Sequence, residues 1–283
     1  MIYFDKKEAL KQHITNLKEQ HKTIGFVPTM GALHNGHLSL IETAQSENDI
    51  VVVSIFVNPT QFDNPEDLRK YPKTLERDLE MLKKFENGIV FAPSIEEIYE
   101  KEVKAKEFDF DGLENEMEGK FRTGHFDGVA TIVKALFLIV NPTKAYFGEK
   151  DFQQLQIIKK MVSLEELPVE IVGCPIHRES DGLAMSSRNT RLTDDERKVA
   201  PMIYKVISTA KEKFKSEKIE KIINWVENQF KNHQHLKLEY FLIADEKSLK
   251  PSNRKENNKD YRAFIAVYAG NIRLIDNIKL SHK

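Results

Sequence analysis

Two histidines three residues apart are the first groups in this sequence able to do chemistry. The segment FVPTMGALHNGHLSLIETA sets Met30, Gly31, His34, Asn35, Gly36 and His37 between an apolar run and a helical pattern. Imidazoles at that spacing can donate hydrogen bonds to phosphoryl oxygens from one side, the preorganised charge stabilisation that phosphorus chemistry requires. Gly31 and Gly36 have no side chains, which would let backbone N–H groups approach a phosphate closely. A helix starting near Gly36 would point its positive end at the same anion. The pair could instead bind zinc, although no Cys or carboxylate cluster nearby completes a ligand set, or it could be two surface-loop histidines. The segment is neither a G-x-x-x-x-G-K-[ST] phosphate loop nor a G-x-G-x-x-G dinucleotide fingerprint.

A second cluster lies far along the chain. RESDGLAMSSRNTRL (178–192) is dense in hydroxyls, glycine and arginine. Ser186, Ser187 and Arg188 offer two hydroxyl donors and a permanently charged fork, a combination suited to a triphosphate. A plain surface turn could have the same composition. Taken with the histidines, it is similar to the layout of nucleotidyltransferases with an H-x-G-H motif and of class I tRNA-synthetase-like folds. Those folds set a Ser- or Lys-bearing loop opposite the histidines.

Such groups need elements to hold them. Residues 23–28, 49–58, 88–93, 144–148 and 170–176 read as strands, near-continuous in Ile, Val and Phe as strands buried on both faces should be. Helical patterns cover 36–47, roughly 66–86, 127–140 and 151–166. Strand alternating with helix predicts an α/β, Rossmann-like, doubly wound parallel sheet, whose ligands bind outside the carboxyl ends of the strands. After about residue 190 the pattern changes: helices at 194–214 and 217–233 precede strands at 238–244, 261–269 and 272–280. That predicts a smaller C-terminal α+β domain. The expected division is 1–176 and 177–283.

Composition narrows the partners. The 283 residues carry 43 Lys plus Arg against 44 Asp plus Glu, so no net field advertises nucleic acid or a membrane. The N-terminus is too charged for a signal peptide, and no apolar run approaches the ~20 residues that span a bilayer. A lone cysteine, Cys174 in the apolar run IVGCPI, rules out an intramolecular disulfide and reads as a buried, inert thiol. The expectation is a soluble, cytoplasmic protein.

Six segments together carry a family resemblance: PTMGALHNGH (28–37), FVNPTQF (56–62), GHFDGVATIV (124–133), FGEKDFQQLQ (147–156), DGLAMSSRN (181–189) and RLIDN (273–277). In order and spacing the chain resembles the pantothenate synthetase (pantoate–β-alanine ligase) family over essentially its whole length. RTGHF stands where RPGHF is common, and FDNPEDLRKYP lacks the glycine often found after Gln61.

The resemblance implies roles for particular residues. The family's ATP-binding loop falls on Met30, Gly31, Ala32, Leu33, His34, Asn35, Gly36 and His37, with His37 as catalytic proton donor and His34 beside it. A second nucleotide segment falls on Gly148, Glu149, Lys150 and Asp151, where Lys150 would neutralise developing phosphate charge. Met185, Ser186, Ser187 and Arg188 form the phosphate-side loop, and His177 stands where the family's backbone meets adenine. Pantoate would be held by Gln61 and Gln154, and β-alanine by Gln61. Glutamine amides can both donate to a carboxylate and accept from a hydroxyl. The implied reaction uses ATP with Mg²⁺, with no metal site of the protein's own, to form a pantoyl adenylate that β-alanine then attacks. The family also implies a homodimer through the N-terminal domain, with 127–140 as a buried helix or subunit contact, and a lid function for the second domain. A hinge near 177–190 and a loop at 62–72 are the expected moving parts. Trp225 reads as a packing residue. The competing functions are nucleotidyl transfer to another small substrate, an acyl-phosphate ligase releasing ADP, and a nucleotide sensor without turnover.

Overall fold

The computed structural model describes residues 1–62, 65–99 and 102–281. The chain divides into two compact units, residues 1–149 with 153–175, and residues 150–152 with 176–283. In the first unit lie β1 (Ile2–Phe4), β2 (Ile24–Thr29), β3 (Ile50–Ile55), β4 (Gly88–Phe91), β5 (Lys144–Gly148) and β6 (Glu170–Cys174). They form one sheet in the order β1-β4-β3-β2-β5-β6, and every neighbouring pair is parallel. The helices of this part of the chain are α1 (Lys7–Glu19), α2 (Asn35–Glu47), α3 (Pro65–Lys70), α4 (Leu75–Leu82), α5 (Ile95–Ile98), α6 (Met117–Phe121), α7 (His125–Val140) and α8 (Phe152–Leu164).

The unbroken apolar runs of the inner strands have a direct cause. Successive strand side chains point to opposite faces, and here both faces are covered. Val27, Val51, Val53, Val90 and Tyr146 pack with Leu38, Ile41 and Ala44 of α2 and Leu82 of α4. On the other face Phe26 meets Phe137 of α7 edge to face, with ring centroids 6.1 Å apart. From β2 the chain steps to β3 on one side, while β5 lies on the other. The winding therefore reverses between β2 and β5. Open α/β sheets leave their ligand crevice at such a switch point.

In the second unit α9 (Asp194–Val199), α10 (Met202–Phe214) and α11 (Ile219–Phe230) accompany the antiparallel sheet β7 (Leu236–Asp245), β8 (Tyr261–Ala269), β9 (Ile272–Leu280). Ile203, Ile207, Phe214, Ile222 and Val226 bury against Tyr261, Ile265 and Val267, and Trp225 packs on that core. Thr193 and Glu196 form a reciprocal capping box at the start of α9.

Two expectations need correction. The helix read at 66–86 is two, α3 and α4, because Pro72 has no N–H to continue a helix and turns Tyr71 away from helical backbone. The helix read at 194–214 is likewise α9 and α10, interrupted ahead of Pro201. The N-terminal segment, to which the sequence reading gave no element, forms β1 and α1; β1 is three residues long and pairs with β4. Of the expected mobile loop at 62–72, Asp63 and Asn64 lie outside the described residues.

Among the described residues no helix is long and apolar enough to cross a membrane. Cys174 ends β6 and is buried, and burial pushes its thiol up to about 11. At pH 8 such a thiol is about one-thousandth thiolate, against roughly a quarter for a free cysteine. A thiol reagent at pH 8 should therefore modify the native protein at least about 100-fold more slowly than the urea-unfolded chain. Equal rates would mean that Cys174 is open to solvent.

Candidate active site

Parallel strands end together. The segments that leave β3, β2 and β5 at their carboxyl ends are 56–61, 30–34 and 149–154, and these strands are adjacent in the sheet. Three of the chemistry-bearing motifs thus issue from one edge, on either side of the switch point.

The histidine segment is held by a short series of hydrogen bonds. Thr29 ends β2, and its hydroxyl donates to the Ser54 carbonyl at 2.7 Å while accepting the Gly31 N–H at 3.1 Å. Gly31 and Ala32 then both adopt left-handed backbone, with φ of +79° and +50°. For alanine that conformation costs about 1–2 kcal/mol. The compensation comes from Asp78 on α4, which is wholly buried. Its two carboxylate oxygens accept the N–H groups of Ala32 at 2.9 Å and Leu33 at 2.8 Å, and Thr74 donates a third bond at 3.2 Å. A side chain at position 31 would bring its Cβ within 3.0 Å of an Asp78 oxygen.

His34 is the N-cap of α2. Its Nδ1 accepts the Gly36 N–H at 3.1 Å, and the His34 N–H in turn donates to Nδ1 of His37 at 3.3 Å, a capping box made of imidazoles. The two rings lie 4.0 Å apart. A ring nitrogen that accepts a backbone N–H carries no proton itself. Each neutral ring therefore keeps its proton on Nε2, the nitrogen on its far side. The N–H groups of Gly31 and Gly36 are bonded to Thr29 and His34. What the segment offers an anion is thus the pair of Nε2–H donors and the positive end of α2, rather than glycine N–H groups.

After β3, residues Pro59–Gln61 form a 3-10 turn around Asn58, which is buried. Its amide donates to Gln61 Oε1 at 3.2 Å and to the Gly128 carbonyl at 3.0 Å, and its oxygen accepts from Thr60 at 3.1 Å and Tyr99 at 2.6 Å. Burial pushes the Tyr99 phenol up, which keeps the donated proton in place. Gln61 is 8 % exposed, and its Nε2 lies 2.9 Å from the sulfur of Met30. The structure thereby brings Gln61 and Met30 together. Gln154 is half-buried in the first turn of α8. The adjacent Gln153 is buried and serves packing: it donates to the Leu113 and Glu116 carbonyls at 2.8 and 2.7 Å. Beside this edge is a cavity of about 210 Å³ lined by Met30, Gly31, Val57, Lys73 and Asp78, among others.

The second unit carries the other expected residues. Arg178 and Ala184 pair as an antiparallel bridge, and the Met185 N–H donates to the His177 carbonyl at 3.0 Å. This closed turn is anchored by Arg178, bidentate to the buried Asp276 at 2.6 and 2.9 Å and stacked 3.9 Å from the Tyr204 ring. Gly182 (φ +92°) is required there, since a Cβ would lie 2.3 Å from Tyr204. The Ser186 hydroxyl caps a 3-10 helix, Ser187–Arg191, by accepting the Arg188 N–H at 3.2 Å. Ser187 is half-buried, and the side chains of Arg188 and His177 are exposed. Lys150 sits 3.4 Å from Asp151, and its carbonyl accepts from Asn277 at 2.9 Å. Asp276 and Asn277 of the RLIDN motif therefore hold Arg178 and Lys150 in place.

Sequence reasoning assigned no role to Asn58, Asp78, Arg122, His125, Asp276 or Asn277. A charged residue on a helix, such as Asp78, looks solvated until its fold is known. The i, i+3 pair His125 and Gly128 was the one readable signal, since it puts a polar group and a bare backbone on one helical face.

A doubly wound parallel sheet with an H-x-G-H segment at its switch point is an α/β arrangement whose ligand crevice lies at the carboxyl ends of the strands. The family model for pantoate–β-alanine ligase matches residues 2–279. A protein of Christiangramia forsetii named pantothenate synthetase is 58 % identical over 283 residues, the full length of both chains. Among solved structures, the pantothenate synthetase of Thermus thermophilus superposes with a TM-score of 0.88 at 38 % identity, covering 99 % of each chain. The pantoate–β-alanine ligase of Francisella tularensis, complexed with beta-gamma ATP and β-alanine, gives 0.80 at 39 % identity over 99 % of this chain and 97 % of that one. The chain belongs to the pantoate–β-alanine ligase family.

Asp78→Ala should destabilise the protein by about 1–3 kcal/mol in urea unfolding, because the buried Leu33 N–H and the part-buried Ala32 N–H lose their acceptor. Asp78→Asn, which can still accept one of them, should fall between. An Ala variant as stable as the parent would show that the loop does not lean on this carboxylate.

Proposed function

We propose that this chain joins pantoate to β-alanine using ATP, through a pantoyl adenylate. The observation that carries the reading is the pair of imidazoles at the switch point, each accepting a backbone N–H at Nδ1 and so carrying its proton on Nε2. A carboxylate is a poor acyl donor at neutral pH, because oxide would have to leave. Attack of a pantoate carboxylate oxygen on the α-phosphorus of ATP forms a P–O bond and releases pyrophosphate. The amine of β-alanine then attacks the acyl carbon, the C–O bond to AMP breaks, and the amine's proton is lost to the medium.

In this reading His34 and His37 donate from Nε2 to phosphate oxygens, with His37 the proton donor, as charge develops. The nucleotide takes Met30–His37, Gly148–Asp151, His177 and Met185–Arg188, with Lys150 and Arg188 as cations and the Ser186–Ser187 pair as hydroxyl donors. Gln61 and Gln154 hold pantoate, and Gln61 also meets β-alanine. Mg²⁺ belongs to the substrate, as MgATP, and supplies further charge neutralisation on the phosphates. The Francisella relative, complexed with beta-gamma ATP and β-alanine, supports ATP and β-alanine as two of the substrates. A homodimer through the first unit and a cytoplasmic location complete the proposal. Exposed Leu138 on the apolar helix α7 supports the first, and a lone cysteine supports the second.

The reaction order is tested by isotope exchange. Labelled pyrophosphate should enter ATP when pantoate is present and β-alanine absent, and full turnover should release AMP. Exchange without pantoate, or ADP as product, would overturn the adenylate mechanism. His34→Ala and His37→Ala should each lower kcat of this exchange roughly 10²–10³-fold while leaving the fold intact. Gln154→Ala should raise the apparent KM for pantoate about 5–150-fold, the equivalent of ~1–3 kcal/mol, with little change for ATP. Equal changes for both substrates would make Gln154 a structural residue.

A further inference from the structure

The corner at the start of α7 grips the turn that carries Gln61. His125 is 7 % exposed, and its Nδ1 lies 2.8 Å from the Gln61 carbonyl oxygen. A carbonyl can only accept, so Nδ1–H donates. Arg122 Nη1 lies 3.1 Å from the other ring nitrogen, Nε2. A guanidinium can only donate, so Nε2 accepts. Both partners demand the same neutral tautomer. Arg122 also donates to the Gln61 carbonyl at 3.3 Å, giving that oxygen two donors from one corner.

One turn further on, Gly128 brings helix backbone against the same segment. An added Cβ there would lie 2.2 Å from the Thr60 carbonyl oxygen, and the Gly128 carbonyl accepts from Asn58 at 3.0 Å. Backbone and ring together leave the turn no room to rotate. The Gln61 side chain is held differently. Its oxygen accepts from Asn58, so the amide cannot flip, whereas its Nε2 rests on a thioether, a weak acceptor. A carboxylate or hydroxyl arriving at Nε2 would replace a poor partner with a good one.

We infer that His125, backed by Arg122, is a positioning residue for Gln61: it clamps the turn's carbonyl and so fixes the direction in which the Gln61 amide is presented to the acid substrate. The inference rests on the reading of Gln61 as a pantoate-binding group. The GHFDG motif gains a role by it, with His125 and Gly128 as two parts of one clamp.

Side-chain amides can imitate each ring nitrogen separately. Asparagine places an N–H near the position of Nδ1, and glutamine places one near Nε2. Steady-state kinetics with pantoate and ATP varied in turn should be measured for His125→Asn, His125→Gln and His125→Ala, with Gln61→Ala alongside. His125→Gln and His125→Ala should raise the apparent KM for pantoate about tenfold, close to the loss of one hydrogen bond, and leave that for ATP within about twofold. His125→Asn should stay within about threefold for both, since it keeps the bond to the Gln61 carbonyl. Rescue by glutamine as good as by asparagine, or equal changes for both substrates, would overturn the inference. Arg122→Met removes the guanidinium and leaves the ring. It should show a smaller, pantoate-selective rise, and it decides the matter where a His125 variant does not fold. An unchanged pantoate KM there counts against the clamp. Gln61→Ala separates the two levels. If it leaves the pantoate KM unchanged, the reading of Gln61 fails. If it raises that KM while the His125 and Arg122 variants do not, only the clamp fails.

Discussion

Parallel pairing of β2 with β3 on one side and β5 on the other is the arrangement on which the site depends. Parallel strands all finish at the same edge, and each must be followed by a crossover before the next can begin. Segments far apart in the chain are therefore delivered to one line, a strand spacing of about 4.8 Å apart, without any loop having to reach. The register makes this concrete: Thr29 at the end of β2 stands beside Ile55 at the end of β3. The histidine segment leaves one strand and the Asn58–Gln61 turn leaves the next, so the Gln61 amide can touch Met30. Buried on both faces, the strands have little freedom to slip, since a shift of one residue would exchange their two apolar faces.

Within that frame, each unit fixes its motif loop with one buried carboxylate brought from elsewhere in the chain. Asp78 takes two backbone N–H groups of the 30–34 segment and a threonine hydroxyl, all of them dipoles. Asp276 takes the forked guanidinium of Arg178, and that guanidinium also holds the Gly182 carbonyl. Burying an ionised carboxylate is expensive unless its lone pairs are filled. The geometry in both places is near ideal, with distances between 2.6 and 3.2 Å. These acids do not belong to the motifs whose chemistry is evident. They determine the shape of the backbone that displays it.

That division explains what the sequence could and could not disclose. Strand β8 and strand β9 were legible residue for residue, and β5 as well, because apolar runs bounded by turn residues leave little choice. The parallel class followed from the same runs alternating with helical periods. Pro72 and Pro201 were present in the sequence, yet the helical periodicity on either side hid the breaks they impose. Strand β1 has three residues, too few for any period to show, and its existence rests on β4 being there to pair with. At the site, the histidines, glutamines and serines stood out because such groups have chemistry of their own. Asp78, Asn58 and His125 act only through the residues they hold, and that is a property of the folded chain.

Residues 150–152 belong to the second compact unit, although the chain on both sides of them belongs to the first. Arg262 stacks 3.9 Å from the ring of Phe152, and Asn277 takes the Lys150 carbonyl 127 residues upstream of itself. The C-terminal segment by itself is thus missing a corner of its own fabric. On the ribosome, that corner emerges about 110 residues before β8 and β9 and waits for them. A fragment beginning at residue 176 would lose both contacts, the Phe152 ring against Arg262 and the Lys150 carbonyl at Asn277. Recombination between relatives faces the same rule: a C-terminal half exchanged at 176 must find, in its new partner, a 150–152 segment that fits beneath it.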